Sequence, residues 1–163
     1  MFFYEDLFKA LKEDKIEYVV VGGLALVLHG VVRLTADLDL IVALKEDNIN
    51  KFAKMMTRLG YKPKAPVPAE HLGDAEKRKK WLKEKNMKVF SFFHQKEHFK
   101  LVDVFVTEPI PFKELSKEKK NVKVNDISIP ICSIGHLIEL KEKAGRPQDV
   151  ADIKALKKIK REE

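Results

Sequence analysis

Residues 18–42, YVVVGGLALVLHGVVRLTADLDLIV, couple a glycine pair to two carboxylates at strand spacing, and few folds accommodate that combination. Tyr18 and the valines at 19, 20 and 21 form a strand-like run that ends at Gly22 and Gly23, and an apolar segment follows over 24–28 before Gly30. This order predicts a strand, a tight turn and a short buried helix. Glycine at the turn lets backbone approach a ligand with no Cβ in the way, and unpaired amides at the start of the helix attract phosphate.

Asp37 and Asp39 stand two apart beside Leu38, Leu40, Ile41 and Val42, a run that otherwise reads as a buried strand, so period two sends both carboxylates to one face. Two acids leaving an apolar strand together repel, and burying them unpaired costs several kcal/mol or forces one to hold a proton. A divalent cation resolves the conflict, and an oxygen-only donor set suits Mg²⁺ or Mn²⁺. The alternative is that Asp37 is a helix or turn residue while Asp39 pairs with a basic neighbour such as Arg33. A third acid, Asp103, sits in the centre of KLVDVFV, where central strand positions rarely carry an unexplained carboxylate. If that strand lies beside the Asp37–Asp39 strand, three acids converge to hold one or two metals for in-line phosphoryl chemistry. Otherwise Asp103 is a single buried acid salt-bridged to a lysine.

Gly22, Gly23, Asp37, Asp39 and Asp103, in this order and context, resemble the polymerase-beta-like nucleotidyltransferase superfamily, with its glycine turn, DxD strand and third acid on a later strand. GGLALVLHGVVRLTADLDLIV is similar to the small prokaryotic members that include abortive-infection and minimal nucleotidyltransferase toxins, where an Arg-x-Thr precedes the acids as Arg33 and Thr35 do here. The tail KEKAGRPQDVADIKAL also resembles them, through Lys141, Arg146, Asp149 and Asp152. The chain departs at Leu24, where many relatives carry a phosphate-binding serine.

The resemblance implies an α/β (α+β) fold: a nucleotidyltransferase-like mixed sheet flanked by helices, with further helices at the C-terminus. It implies an enzyme that moves a nucleoside monophosphate from an NTP to an acceptor hydroxyl and releases pyrophosphate. Asp37, Asp39 and Asp103 would be catalytic and hold two Mg²⁺ or Mn²⁺ ions. Gly22, Gly23, Arg33, Thr35 and Lys141 would bind the nucleotide. Arg146, Asp149 and Asp152 read as ion pairs that tie the C-terminal helices to the core. The acceptor is left open among RNA or tRNA, protein and a small hydroxyl compound. Two other functions fit the same residues: a nucleotide- or RNA-binding module without chemistry, which Leu24 makes conceivable, and a tRNA-modifying toxin paired with an antitoxin.

At 163 residues the chain suits one domain, with a core over about 1–110 and a C-terminal hairpin and helices over about 111–163. The apolar stretch over 19–28 is short for a bilayer and broken by glycines, so a cytoplasmic protein without membrane association or secretory leader is expected. Cys132 stands alone, excluding an internal disulfide and a cysteine zinc cluster, and reads as a small buried side chain. The 32 basic and 25 acidic residues give +7, which suits a polyanionic ligand. A charged fraction of 35%, rich in Lys and Glu, follows the bias of hyperthermophile proteins.

Along the chain, helices are expected over 5–14, over 47–59 with Asp47 as N-cap and Gly60 as stop, and over 133–144 and 149–160. Strands are expected over 87–93 and 99–106, and a second hairpin over 122–131 turns at Asn125-Asp126. Residues 63–88 are the least constrained. There Lys77, Arg78, Lys79 and Lys80 lie beside Trp81, either a solvated helix face with an anchor or an acceptor-binding flap. HQKEH over 94–98 has the spacing of a zinc-protease motif but falls between strand-like runs, where no helix aligns its histidines. His29 and His136 read as packed or hydrogen-bonded side chains.

Overall fold

The computed structural model describes residues 3–163. Its elements are α1 (Glu5–Glu13), β1 (Tyr18–Val21), α2 (Gly22–Leu28), β2 (Leu38–Val42), α3 (Glu46–Arg58), β3 (Tyr61–Pro63), a 3-10 turn (Ala69–Gly73), α4 (Ala75–Lys85), β4 (Val89–His94), β5 (Leu101–Phe105), α5 (Phe112–Glu118), β6 (Lys120–Val124), β7 (Ile127–Ile131), α6 (Ile134–Ala144) and α7 (Asp149–Glu162). The seven strands form one mixed sheet in the order β3-β4-β5-β2-β1-β7-β6. β2 and β5 run parallel, as do β1 and β7, and the remaining neighbours are antiparallel. The expected mixed sheet with flanking and C-terminal helices is present.

Hydrophobic pattern explains the layering. All four residues of β1 are buried, as a central strand covered on both faces requires. β4 and β5 alternate instead: Phe90, Phe92, Val102 and Val104 face the core, while Ser91, Phe93, Leu101 and Asp103 lie on a half-buried face. Phe8, Phe52, Phe90 and Phe92 are among the largest side chains fully removed from water, each contributing on the order of 2–3 kcal/mol of transfer free energy.

Local signals hold where chemistry forces them. Ser133 Oγ accepts the His136 amide at 3.1 Å, and Gly145 ends α6 in the left-handed region at φ 62°. Asn125 and Asp126, both at positive φ, make the two-residue turn between β6 and β7. Cys132 is buried, and burial pushes its thiol up to about 12.

Two expectations change. α3 starts at Glu46 with Lys45 as its unbonded N-cap, so Asp47 supplies charge to the first turn and no cap. The buried Asn48 does the anchoring: its Oδ1 accepts from the Glu17 amide at 2.8 Å, and its Nδ2 donates to the Glu17 and Ala43 carbonyls. The basic stretch is also less uniform than its composition implies. Arg78 turns inward to donate to the Leu72 carbonyl at 2.7 Å, and Trp81 packs on Phe90, so only the lysines remain on the solvent side. HQKEH forms a turn held by histidine: His94 Nδ1 accepts from the Lys96 and Glu97 amides, leaving Nε2 to donate to the Leu59 carbonyl at 3.1 Å. No protease-like helix exists there. The three-residue β3 and the helix α5 carry no pattern strong enough to foresee.

Candidate active site

Asp39 and Asp103 are register partners on the adjacent parallel strands β2 and β5, so both carboxylates leave the same face one strand spacing apart. β4 completes the row, since Ser91 is the partner of Asp103 and its Oγ donates to Asp103 Oδ1 at 2.6 Å. Burial raises the Asp39 carboxyl to about 6; Asp103 and then Asp37 add to the rise, while Arg146 and Lys141 oppose it. Asp39 therefore keeps its proton to a higher pH than an ordinary carboxyl does.

Asp37 stands one residue ahead of β2. The ladder begins at Leu38, and Asp37 is exposed at the end of the irregular segment 31–37. It interacts electrostatically with Asp39. Among the described residues, no three His, Cys, Asp or Glu side chains form a ready-made metal cluster. The oxygen donors available to a hard cation are Asp39 and Asp103, with Asp37 at the head of the same strand.

The glycine pair has a steric role visible in the packing. Gly22 has φ +68°, and a Cβ there would collide with Asp39 Oδ2; a Cβ on Gly23 would collide with Thr35 Oγ1. α2 can therefore abut both the acid and the segment leading to it only with glycine at these positions. Thr35 meanwhile donates to the Asp37 carbonyl at 3.5 Å.

Arg33, Lys141 and the C-terminal acids form one network. Arg33 Nη1 donates to Asp152 Oδ2 at 2.7 Å, and Lys141 reaches Asp152 at 3.0 Å and Asp149 at 3.2 Å. Arg146 grips Asp149 through Nε and Nη2, both at 3.0 Å, and this pairing holds the Asp149 carboxyl below the usual range. Lys141 and Asp149 are 9% and 1% exposed, so the network has a buried centre, with Arg33 and Arg146 exposed at its rim. Arg33 pairs with Asp152 and not with Asp39.

Tyr4 and Ser91 have no counterpart in the sequence reading. The Tyr4 hydroxyl donates to the Ala36 carbonyl at 2.6 Å and to the Leu101 carbonyl at 3.1 Å, stitching the starts of β2 and β5 together. Burial, with Asp37, Asp39 and Asp103 nearby, raises its phenol to about 12, so it stays a donor. The only sequence signal for Ser91 is a hydroxyl inside the apolar run VFSFF. His29 Nε2 bonds the Cys132 carbonyl at 2.7 Å and His136 faces Glu118 at 3.0 Å. A separate cleft of about 780 Å³, bordered by Glu17, Lys45, Phe112 and Lys117, is lined by none of Asp37, Asp39 and Asp103.

No family model matches the sequence, and no curated protein matches it. Solved structures do match. The lincosamide antibiotic adenylyltransferase LnuA, solved with lincomycin bound, superposes with a TM-score of 0.60 at 17% identity over 94% of each chain. A Thermotoga maritima protein assigned as a nucleotidyltransferase gives 0.56 at 17% identity, covering 97% of this chain and 90% of that one. ANT(2″)-Ia in complex with adenylyl-2″-tobramycin gives 0.60 at 14% identity, over 94% of this chain and 88% of the other. The chain has the nucleotidyltransferase fold. Among the described residues no helix is long and apolar enough to cross a membrane.

Proposed function

We propose that the protein is a metal-dependent nucleotidyltransferase that moves a nucleoside monophosphate from an NTP to an acceptor hydroxyl and releases pyrophosphate. The observation that supports this reading best is the in-register pair Asp39 and Asp103, set against Gly22, with Asp37 at the head of the same strand. Two carboxylates this close, one raised to about 6, are costly without a cation, and carboxylate oxygen suits Mg²⁺ or Mn²⁺. Asp37, Asp39 and Asp103 would hold two such ions, which supply Lewis-acid charge at the phosphates.

The protein's own groups divide the remaining work. Asp103, fixed through Oδ1 by Ser91, accepts the proton of the acceptor hydroxyl at its other oxygen. That hydroxyl oxygen bonds to the α-phosphorus as the bond from phosphorus to the pyrophosphate oxygen breaks. Gly22 and Gly23 leave backbone exposed to the β- and γ-phosphates, with Thr35 beside them. Arg33 and Lys141 offset phosphate charge, exchanging part of their bonding to Asp152 for the ligand. LnuA was solved with lincomycin bound and ANT(2″)-Ia with adenylyl-2″-tobramycin, and small-molecule, RNA and protein hydroxyls are all compatible with the chemistry.

A second reading rests on Leu24, which follows the glycine pair and supplies no hydroxyl: a nucleotide-binding module without turnover. Calorimetry of NTP with Mg²⁺ tests the site, with binding expected for the native protein and abolished in Asp39→Asn. Equal affinity in the variant removes Asp39 from it. Transfer of label from α-labelled NTPs to pools of RNA, protein and small hydroxyl compounds tests turnover, and no product from any pool favours the binding module.

A further inference from the structure

We infer that the open sheet face beside Asp103 is a track for the acceptor, and that the acceptor is the end of a single-stranded nucleic acid. The inference rests on the nucleotidyltransferase reading above and names the substrate class of that site. Strand register carries it. Asp103 is opposite Ser91, Phe93 is two residues beyond Ser91, and Phe93 is opposite Lys62 on the edge strand β3. Directly opposed residues share a face, as do residues two apart, so Asp103, Ser91, Phe93 and Lys62 all project to one side. Burial agrees: Ser91, Phe93 and Asp103 are half-buried and Lys62 is exposed, while the alternating Phe92, Val102 and Val104 are in the core.

Sheet dimensions set the spacing. From Asp103, Phe93 lies one strand over and two residues along, roughly 8 Å, and Lys62 lies two strands over, roughly 12 Å. A terminal hydroxyl at Asp103 thus meets an aromatic face about one base away and a cation at the next phosphate. The exposed His98 ring packs edge-on to Phe93 at 6.2 Å, and Phe3 and Phe99, 57% and 55% exposed, meet at 5.2 Å just ahead of β5. Exposed aromatic rings beside lysine on an open sheet are the elements that hold unpaired bases by stacking and their backbone by charge. The phosphate-binding groups, Gly22, Gly23, Arg33 and Lys141, lie on the other flank of the acids, toward β1 and α6, so the track leaves their side to the NTP. The formal +7 charge favours a polyanion over a protein hydroxyl or a neutral sugar.

The test uses the full chain and short fluorescent oligonucleotides, single-stranded RNA, single-stranded DNA and duplex, read by anisotropy, beside calorimetry of NTP with Mg²⁺. Single strands are expected to bind more tightly than duplex. Phe93→Ala is expected to weaken them about tenfold, and Lys62→Ala to weaken them and to lower the salt slope by about one, both leaving NTP affinity unchanged. A preference for RNA over DNA would assign a contact to the 2′-hydroxyl, and equal binding would assign stacking and charge alone; either supports the track. Lys62 is exposed, so Lys62→Glu keeps the test decisive should Phe93→Ala unfold. Single-strand affinity that is absent, no greater than for duplex, or unmoved by the Lys62 variants while NTP still binds would overturn the track and leave the nucleotidyltransferase reading intact. Loss of NTP binding to the native protein would instead remove that reading.

Discussion

Asp39 carries its carboxylate beside Asp103 and against Gly22, and its ionisation is raised from 3.8 to about 6. The folded chain holds this proton more tightly than the unfolded chain, so stability falls as pH rises from about 4 through 6 and the deficit persists above. Asp39→Asn, neutral at every pH, is therefore expected to stabilise the metal-free protein by about 2 kcal/mol at pH 8 and by almost nothing at pH 4, as urea unfolding with chelator present would show. The same variant should lose the stabilisation that Mg²⁺ confers on the native protein at pH 8. At Gly22, alanine meets both the positive φ and Asp39 Oδ2. Gly22→Ala is expected to cost about 1–2 kcal/mol in thermal unfolding and to weaken NTP binding beyond that, because the carboxylate must move. At this scale the sequence was legible where a carboxylate interrupts an apolar strand. It was silent on Tyr4 and Ser91, neutral side chains whose contacts exist only once β2, β4 and β5 are in register.

Elements meet through the network of Arg33, Lys141, Arg146, Asp149 and Asp152, which fastens α6 and α7 to the segment leading into β2. Asp149 is its buried hinge point, accepting from both Lys141 and Arg146. Asp149→Ala leaves Lys141 buried with one partner fewer, and a loss of about 3 kcal/mol in denaturant unfolding is expected, with hydrogen exchange fastest in α7. A loss below about 0.5 kcal/mol would show the network to be surface ornament. The extents of α6 and α7 and the turn between β6 and β7 were readable because Ser133, Gly145 and Asn125-Asp126 meet local backbone demands. The partner of Arg33 was not, since Asp152 arrives from the far end of the chain and no local rule selects it over Asp39. Arg78 failed for a similar reason: helical neighbours suggested a basic face, but the Leu72 carbonyl of the preceding turn draws it inward.

For the molecule as a whole, the class of fold followed from one motif and a third acid, whereas the strand order did not. Nothing in the sequence says that β2 is flanked by β1, close in the chain, and by β5, reached only after α3, β3, α4 and β4. That order leaves β2 and β5 to be joined across a long loop, and their contact is the one that presses Asp39 against Asp103. The electrostatic conflict of the site therefore falls on the slowest kind of pairing to form. In stopped-flow refolding without divalent ions, the chain should fold faster near pH 5, where Asp39 can take up a proton as the strands pair, than near pH 8, and Asp103→Asn should reduce that difference without abolishing it, because burial is the larger cause. Newly made chains would then owe their speed of maturation to the ionic composition of their surroundings.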